Sequence, residues 1–480
     1  MQLAPLLINN RDLAATGDAQ FDCRNPVSGE VVTRAAAASV ADATAAVDAA
    51  AAAFGPWGEV LPAQRQHLLY AAADLLLARS DRFEAAILAE TGTTAAWARF
   101  NCQLAADILR EAAAMVTHVQ GDIIPSNRPG SIAMVLRQPA GVVLAFAPWN
   151  APVLLGVRAI AMPLACGNTV VLKGSELSPL THRLIGEVLR DAGFPPGVCN
   201  VVLNAPEDSG RIVEALIAHP AVRRVSFTGS TRVGRMVAER CARHLKPCLL
   251  GLGGKAPLLV LDDADVDEAV KAAAFGVFFN QGQICMSTER ILVDQRIADD
   301  FIARLTAHAR TLTAGATDCP LGSMISAEAA ERVHHLVADA IQKGASLLVG
   351  GEVSGSIAQP TLVDHVTPTM RLYHEETFAP IAAIIRFDDI EEAISIANDS
   401  EYGLSAAIFG RDTLRALQVA KRIESAICHI NGPTVQDEAQ IPFGGLKASG
   451  WGRFGGKPAI DEFTELRWIS VQTQPQDYPL

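Results

Sequence analysis

Residues 142–173 read VVLAFAPWNAPVLLGVRAIAMPLACGNTVVLK. Val142-Val-Leu-Ala-Phe146 is a short unbroken apolar run, the pattern of a strand buried on both faces. A helix-compatible stretch follows from 152 to 165, and Asn168-Thr-Val-Val-Leu-Lys173 is the next strand. The alternation continues with a helix over 178–192 and strands at 198–203 and 222–227. Strand, helix and strand at this spacing predict parallel βαβ units in a doubly wound α/β sheet. A second alternating set lies between 257 and 436: strand 257–261, helix 266–280, strand 288–293, helices 297–312 and 326–343, and strand 380–387. It predicts a second α/β unit. Upstream, the alanine-rich 33–54 reads largely as helix, with Ser39 or Asp42 as its cap, and another helix follows Pro62. Segment 118–138 carries Gly121, Pro125, Pro129 and Gly130 and then strand-like Ser131–Arg137, a hairpin extending from the main body. The tail, Thr464–Val471, is strand-like again.

The chain has 480 residues, more than one hydrophobic core usually supports. Half of them are hydrophobic and 19% are charged, which suits large buried cores. A net charge of −12 argues against nucleic acid or an anionic membrane as partner. The N-terminal residues show no secretion signal, and no run of about 20 apolar residues suggests a membrane span. Nine cysteines, scattered and without a CxxC pair, fit reduced thiols in the cytoplasm better than disulfides or a metal site.

Three segments carry candidate chemistry. In Phe279-Asn-Gln-Gly-Gln-Ile-Cys285, the glycine at 282 between side-chain amides ends the helix and puts Cys285 on irregular backbone. There a thiolate is a strong nucleophile, and nearby backbone N–H groups are expected to lower its pKa. Read alone, an apolar-flanked cysteine is more often a core residue than a nucleophile. In Ala147-Pro-Trp-Asn-Ala-Pro152, prolines hold Asn150 at the carboxyl end of a strand, where its amide can stabilise an oxyanion or simply close an Asx turn. In Phe227-Thr-Gly-Ser-Thr-Arg-Val-Gly-Arg235, a strand, a glycine turn and a helix start leave N–H groups for a pyrophosphate, though a structural turn reads the same way. Lys173 and Glu176 follow another strand. A carboxylate there accepts ribose hydroxyls and repels a 2′-phosphate, which favours NAD over NADP.

The order of these blocks resembles the aldehyde dehydrogenase superfamily over nearly the whole chain. Pro148-Trp-Asn150, Lys173 with Glu176, Phe227-Thr-Gly-Ser-Thr231, Leu252-Gly-Gly-Lys255, Gly282-Gln-Ile-Cys285, Glu375-Glu-Thr-Phe-Ala-Pro380 and Pro442-Phe-Gly-Gly-Leu-Lys447 carry the match. Asn431–Glu438 and Gly452-Arg-Phe-Gly-Gly456 resemble the branch acting on aromatic aldehydes, the salicylaldehyde, benzaldehyde and vanillin dehydrogenases.

The resemblance implies that Cys285 attacks the aldehyde, Asn150 holds the oxyanion, NAD accepts the hydride and water hydrolyses the thioester. It assigns the cofactor to Ala147, Pro148, Trp149, Lys173, Glu176, Phe227, Gly229, Ser230, Val233, Leu252, Glu376 and Phe378. One position departs: Gly251 stands where the family's general-base glutamate is expected. Losing a general base costs about 10²–10⁴ in rate, so slow deacylation is expected. Three readings remain open: a sporadic change, substitution by another carboxylate with Glu465 as candidate, or acyl transfer to coenzyme A. The departure also leaves room for a catalytically silent NAD-binding protein. Trp97, near the end of a helix, Arg158, about two helical turns beyond Asn150, and Trp451 are expected to line the pocket for a small aromatic aldehyde.

The resemblance further implies an NAD-binding domain over 1–117 and 139–250 to which 437–465 returns, and a catalytic domain over 251–436. A β extension over 118–138 and 466–480 is expected to make a homodimer or homotetramer, because projecting strands need their edges covered. No metal is expected.

Overall fold

Strand Val142–Phe146 is buried at every residue and lies inside an eight-stranded sheet. The computed structural model describes residues 1–315 and 319–479; positions 316–318 of the segment 251–436, and position 480 of 466–480, lie outside them. Across the sheet the strands run Gly450–Trp451, Cys248–Gly251, Val222–Thr228, Val142–Phe146, Thr169–Lys173, Cys199–Val202, Leu6–Ile8 and Arg11–Leu13. The five inner strands pair in parallel and the edges antiparallel. Helices Pro152–Ala165, Pro179–Asp191, Ser209–Ala218 and Thr231–Arg243 supply the crossovers. The chain winds outward from 142–146 through 169–173 to 199–202, then returns to place 222–228 against the other edge of 142–146. That reversal opens a crevice at the carboxyl ends of those two strands, where a doubly wound sheet binds its ligand.

A seven-stranded sheet holds the second alternating set. Its order is Ser346–Val349, Thr361–Asp364, Ile381–Phe387, Thr288–Asp294, Ala256–Val260, Ser405–Phe409 and Ile427–Ile430. All pairs are parallel except the first, which is antiparallel. Residues 252–255, Cys285 and Glu376–Phe378 each precede one of its strands. They therefore gather at the amino ends of this sheet, while Pro148–Asn150, Glu176 and Gly229–Ser230 follow strands of the other. The crevice lies where these two sets of loops meet.

A third sheet is antiparallel. Strand Thr464–Gln472 runs along Ser131–Pro139 in unbroken register from Thr464 opposite Pro139 to Gln472 opposite Ser131, with Asp122–Ile124 on the other side. Ile123 is 77% exposed and Trp468 74% exposed.

Two sequence expectations are corrected. Residues 33–36 are strand rather than helix: Val31–Ala36 pairs with Gln2–Ala4 and Gln20–Arg24, burying Thr33 and Ala35, so tertiary pairing overrides alanine's helix propensity. The helix begins at Val40, where Ser39 and Asp42 form a reciprocal capping box. Trp97 stands near the start, not the end, of helix Ala95–Met115.

Candidate active site

Helix Val266–Phe278 stops ten positions short of Thr288, and the backbone between is forced out of helical geometry. Asn280, Gln281 and Gly282 have φ of +49°, +55° and +66°. A Cβ at Gly282 would come within 2.0 Å of the Ala379 carbonyl oxygen, so only glycine fits the third of these positions. Asn280 is held there by its side chain. Asn280 accepts from the Thr93 hydroxyl at 2.6 Å and donates to the carbonyls of Asn150 and Gln283, each at 3.3 Å. Such strain persists only where the surroundings over-determine it.

The result is a half-buried Cys285 beside Asn150. The Asn150 amide donates to the Gln283 carbonyl at 3.0 Å, and its own carbonyl accepts from the Trp97 indole at 2.7 Å. Both residues line two cavities at once. The first, of about 210 Å³, is walled by Trp97, Phe100, Leu154, Leu155, Phe275, Phe279, Ile284, Met286, Val435 and Phe443. Trp97 and Phe279 meet edge to face at 5.1 Å, and Phe275 stacks on Phe279 at 4.7 Å. In the same wall Arg158 pairs with Asp437, each side chain 6% exposed, and its guanidinium lies 4.6 Å over the Phe443 ring. They are the charged residues of a mostly apolar lining.

The second cavity is the crevice between the sheets, about 710 Å³. Ala147, Pro148, Trp149, Lys173, Glu176, Phe227, Gly229, Ser230, Val233, Gly251, Leu252, Glu376 and Phe378 line it, with Ser209 and Gly210. At one end Lys173 pairs with Glu176 at 3.1 Å, and the Ser209 hydroxyl donates to the same carboxylate at 3.4 Å. Burial opposes ionisation of Glu176, but Lys173 and hydrogen bonds from backbone and the Ser209 hydroxyl together outweigh it, and the carboxyl sits below its ordinary range. In the middle, helix Thr231–Arg243 points its first turn at the cavity, capped by the Ser230 hydroxyl. First-turn N–H groups have no partner within the helix, so they suit a pyrophosphate. At the other end Trp149 meets Phe378 edge to face at 5.8 Å, beside Cys285. Carboxylate, N–H groups and aromatic rings in that order fit the ribose, pyrophosphate and flat base of a dinucleotide.

Electrostatics correct one expectation. Burial pushes the Cys285 thiol up to about 12, Glu376 adds to the shift and Arg158 opposes it. A backbone N–H does act to lower it, as expected, but desolvation outweighs that contribution. Burial, with Glu289 nearby, likewise pushes Glu376 up to about 7, against the Gly254 N–H and Lys255.

Two further residues fall outside the site. Glu465 pairs with Arg224 at 2.7 Å on the strand opposite Gln138 and lines neither cavity, so it is not positioned to activate water at Cys285. Trp451 is 53% exposed and also lines neither cavity. Its indole donates to the Cys248 carbonyl at 2.7 Å, a consequence of strand Gly450–Trp451 pairing along the sheet edge.

Sequence reasoning missed Asp437, the Phe275–Phe279 pair and the support beneath Glu376–Phe378. There Glu289, fully buried against Lys255 at 2.7 Å, accepts the N–H groups of Thr377 and Phe378. The available signal was a Glu-Arg dipeptide inside the otherwise apolar strand Thr288–Asp294. Among the described residues no group of acidic, histidine or cysteine side chains is arranged to hold a metal, and no helix is long and apolar enough to cross a membrane.

Residues 13–469 match the aldehyde dehydrogenase family. The chain is 60% identical to a vanillin dehydrogenase of Pseudomonas sp. strain HR199 over 479 residues, 99% of each chain. It is 49% identical to a salicylaldehyde dehydrogenase of Pseudomonas sp. strain C18, again over 99% of each. The crystal structure of a salicylaldehyde dehydrogenase from Pseudomonas putida G7, complexed with salicylaldehyde, superposes with a TM-score of 0.98 at 48% identity, covering 100% of both chains.

Proposed function

Because the chain belongs to the aldehyde dehydrogenase family, we propose that it oxidises aromatic aldehydes to carboxylic acids, with NAD as hydride acceptor. The observation that carries this reading is the position of Cys285 and Asn150 at the junction of an aromatic-walled cavity and a dinucleotide-shaped crevice. A planar aldehyde entering the smaller cavity presents its carbonyl carbon to the Cys285 sulfur. The Asn150 amide, fixed by the Gln283 carbonyl, lies beside the oxyanion that then develops, and such a donor is worth about 10²–10³ in kcat. The dinucleotide, when bound, supplies the hydride-accepting ring, and the chain supplies orientation and a water-poor setting. Cys285 then carries the acyl group as a thioester.

NAD rather than NADP follows from Glu176, whose ionised carboxylate accepts ribose hydroxyls and repels a 2′-phosphate. Hydroxylated aromatic rings follow from Arg158 and Asp437, a donor and an acceptor in the wall of the cavity that Cys285 also lines. The division of labour is an NAD-binding unit over 1–117, 139–250 and 437–465, and a catalytic unit over 251–436. The antiparallel sheet, with Trp468, Leu466 and Ile123 exposed, is where copies of the chain join into a homo-oligomer. All nine cysteines are unpaired, in keeping with the cytoplasm.

Gly251 sits in the crevice with Cys285 but has no side chain to accept a proton, so deacylation limits turnover. Initial rates on benzaldehyde, salicylaldehyde, vanillin and hexanal, each with NAD and with NADP, test the assignment. Faster turnover of the ring aldehydes with NAD supports it, and faster turnover of hexanal overturns the aromatic assignment. Gly251 also favours a second reading, transfer of the acyl group to coenzyme A. NADH formation that depends on added coenzyme A would replace hydrolysis with that reading.

A further inference from the structure

With Gly251 unable to act and Glu465 on another face, the crevice that Cys285 lines still holds a carboxylate without a cation paired to it among the described residues, that of Glu376. We propose that Glu376 is the general base that activates water for hydrolysis of the Cys285 thioester in this chain. The inference rests on the reading of Cys285 as the acyl carrier.

Geometry singles Glu376 out from its neighbours. It lines the crevice with Cys285 and Gly251. Its charge reaches the Cys285 thiol and opposes its ionisation. The carboxylate lies against backbone that only glycine allows, since a Cβ at Gly253 would come within 2.6 Å of both its oxygens. One Glu376 oxygen accepts from the Gly254 N–H at 2.9 Å, and among the described residues the other takes no hydrogen bond. The remaining acids nearby are committed. Glu289 is filled by Lys255 and by the N–H groups of Thr377 and Phe378. Asp437 is locked to Arg158.

Electrostatics support the role. The charged and titratable groups facing Glu376 are Glu289, Lys255, Arg332, Cys285 and Tyr402. Burial and Glu289 push its carboxyl up to about 7, where a base is half-ionised at neutral pH and basic enough to take a proton from water.

The step balances. A Glu376 oxygen takes one proton as the water oxygen bonds to the thioester carbon, and Asn150 holds the resulting oxyanion. The carbon–sulfur bond then breaks, the acid leaves, and the proton on Glu376 passes to the departing Cys285 sulfur to restore the thiol. In acyl enzyme free of dinucleotide the carboxylate faces the open crevice, so the step can be isolated there.

The test acylates the full chain with p-nitrophenyl benzoate, removes excess reagent and follows loss of the benzoyl adduct on Cys285 by intact mass. Between about pH 5 and about pH 7 the decay should quicken roughly tenfold per unit, then level off as Glu376 becomes fully ionised. Glu376→Gln should abolish the plateau and slow the decay about 10²-fold or more at neutral pH, while Glu376→Asp retains the levelling profile at a reduced rate. A decay that rises with pH without levelling means hydroxide acts unaided and overturns the proposal. So does a Glu376→Gln adduct that decays at the parent's rate. Either result leaves the aldehyde assignment standing, whereas absence of any aldehyde-dependent NADH overturns that assignment and not this one.

Discussion

Replacing Gly251 with glutamate restores a carboxylate at the position where the family resemblance expects its base. The backbone can carry it, since Gly251 closes strand Cys248–Gly251 and is not among the residues with positive φ. The new Cβ would lie 3.0 Å from the Phe454 ring and 3.4 Å from the Thr228 hydroxyl. Phe454 must yield by a few tenths of an ångström, and its backbone is fixed by paired bonds to Phe443 of 2.7 and 2.8 Å, so the ring has to move. Overpacking of this kind costs about 1–3 kcal/mol, against which removing a strand glycine returns about 0.5–1 kcal/mol. The expected balance is a modest loss of stability with faster deacylation, by less than the full 10²–10⁴-fold, roughly, that general-base catalysis supplies, because Glu376 already acts as a base. Rapid mixing with benzaldehyde and NAD reads both phases. The parent should give a burst of NADH near one equivalent followed by a slow steady state, and Gly251→Glu should quicken the slow phase while the burst shrinks. Gly251→Ala brings the same Cβ without the carboxylate and should share the stability loss with none of the acceleration. If the parent shows no burst and Gly251→Glu turns over at the parent's rate, deacylation does not limit this chain and the reasoning fails. In acyl enzyme free of dinucleotide, adding Gly251→Glu to Glu376→Gln should restore fast loss of the benzoyl adduct, because the introduced carboxylate replaces Glu376 as base.

Three other outcomes follow from the same geometry. Asn150→Ala should lower kcat about 10²–10³-fold with a smaller change in KM, since the amide acts on the oxyanion, and equal loss in both would refute that role. Alkylation of Cys285 by iodoacetamide in the free enzyme should be slow at neutral pH and rise about tenfold per pH unit, because the thiolate exists only above a pKa pushed up to about 12; a plateau below about pH 9 would contradict a desolvated thiol. Trp468→Asp should dissociate the oligomer on size-exclusion chromatography, because a charge on the exposed sheet is left unpaired wherever that face is buried, and an unchanged elution volume places the interface elsewhere.

Much of the architecture was legible in residues 142–173 because parallel strands buried on both faces must be continuous apolar runs, and their crossovers must be helices. The broken helix before Cys285 was legible too, in Asn280-Gln-Gly282, since amide residues and glycine tolerate left-handed backbone. Val31–Ala36 was not, because alanine's intrinsic preference for helix is worth less than the pairing offered by strands that sequence alone does not bring near. The same limit hid Asp437, which lies 279 residues from the arginine it neutralises. It also let Glu465 and Trp451 look like site residues when strand pairing carries them to other faces. Sequence alone fixed which groups are available: a thiol, an amide, a glycine without a proton acceptor. Which of them stand within reach of one another was settled only by tertiary structure, because two sheets had to meet before the loops of one could face those of the other.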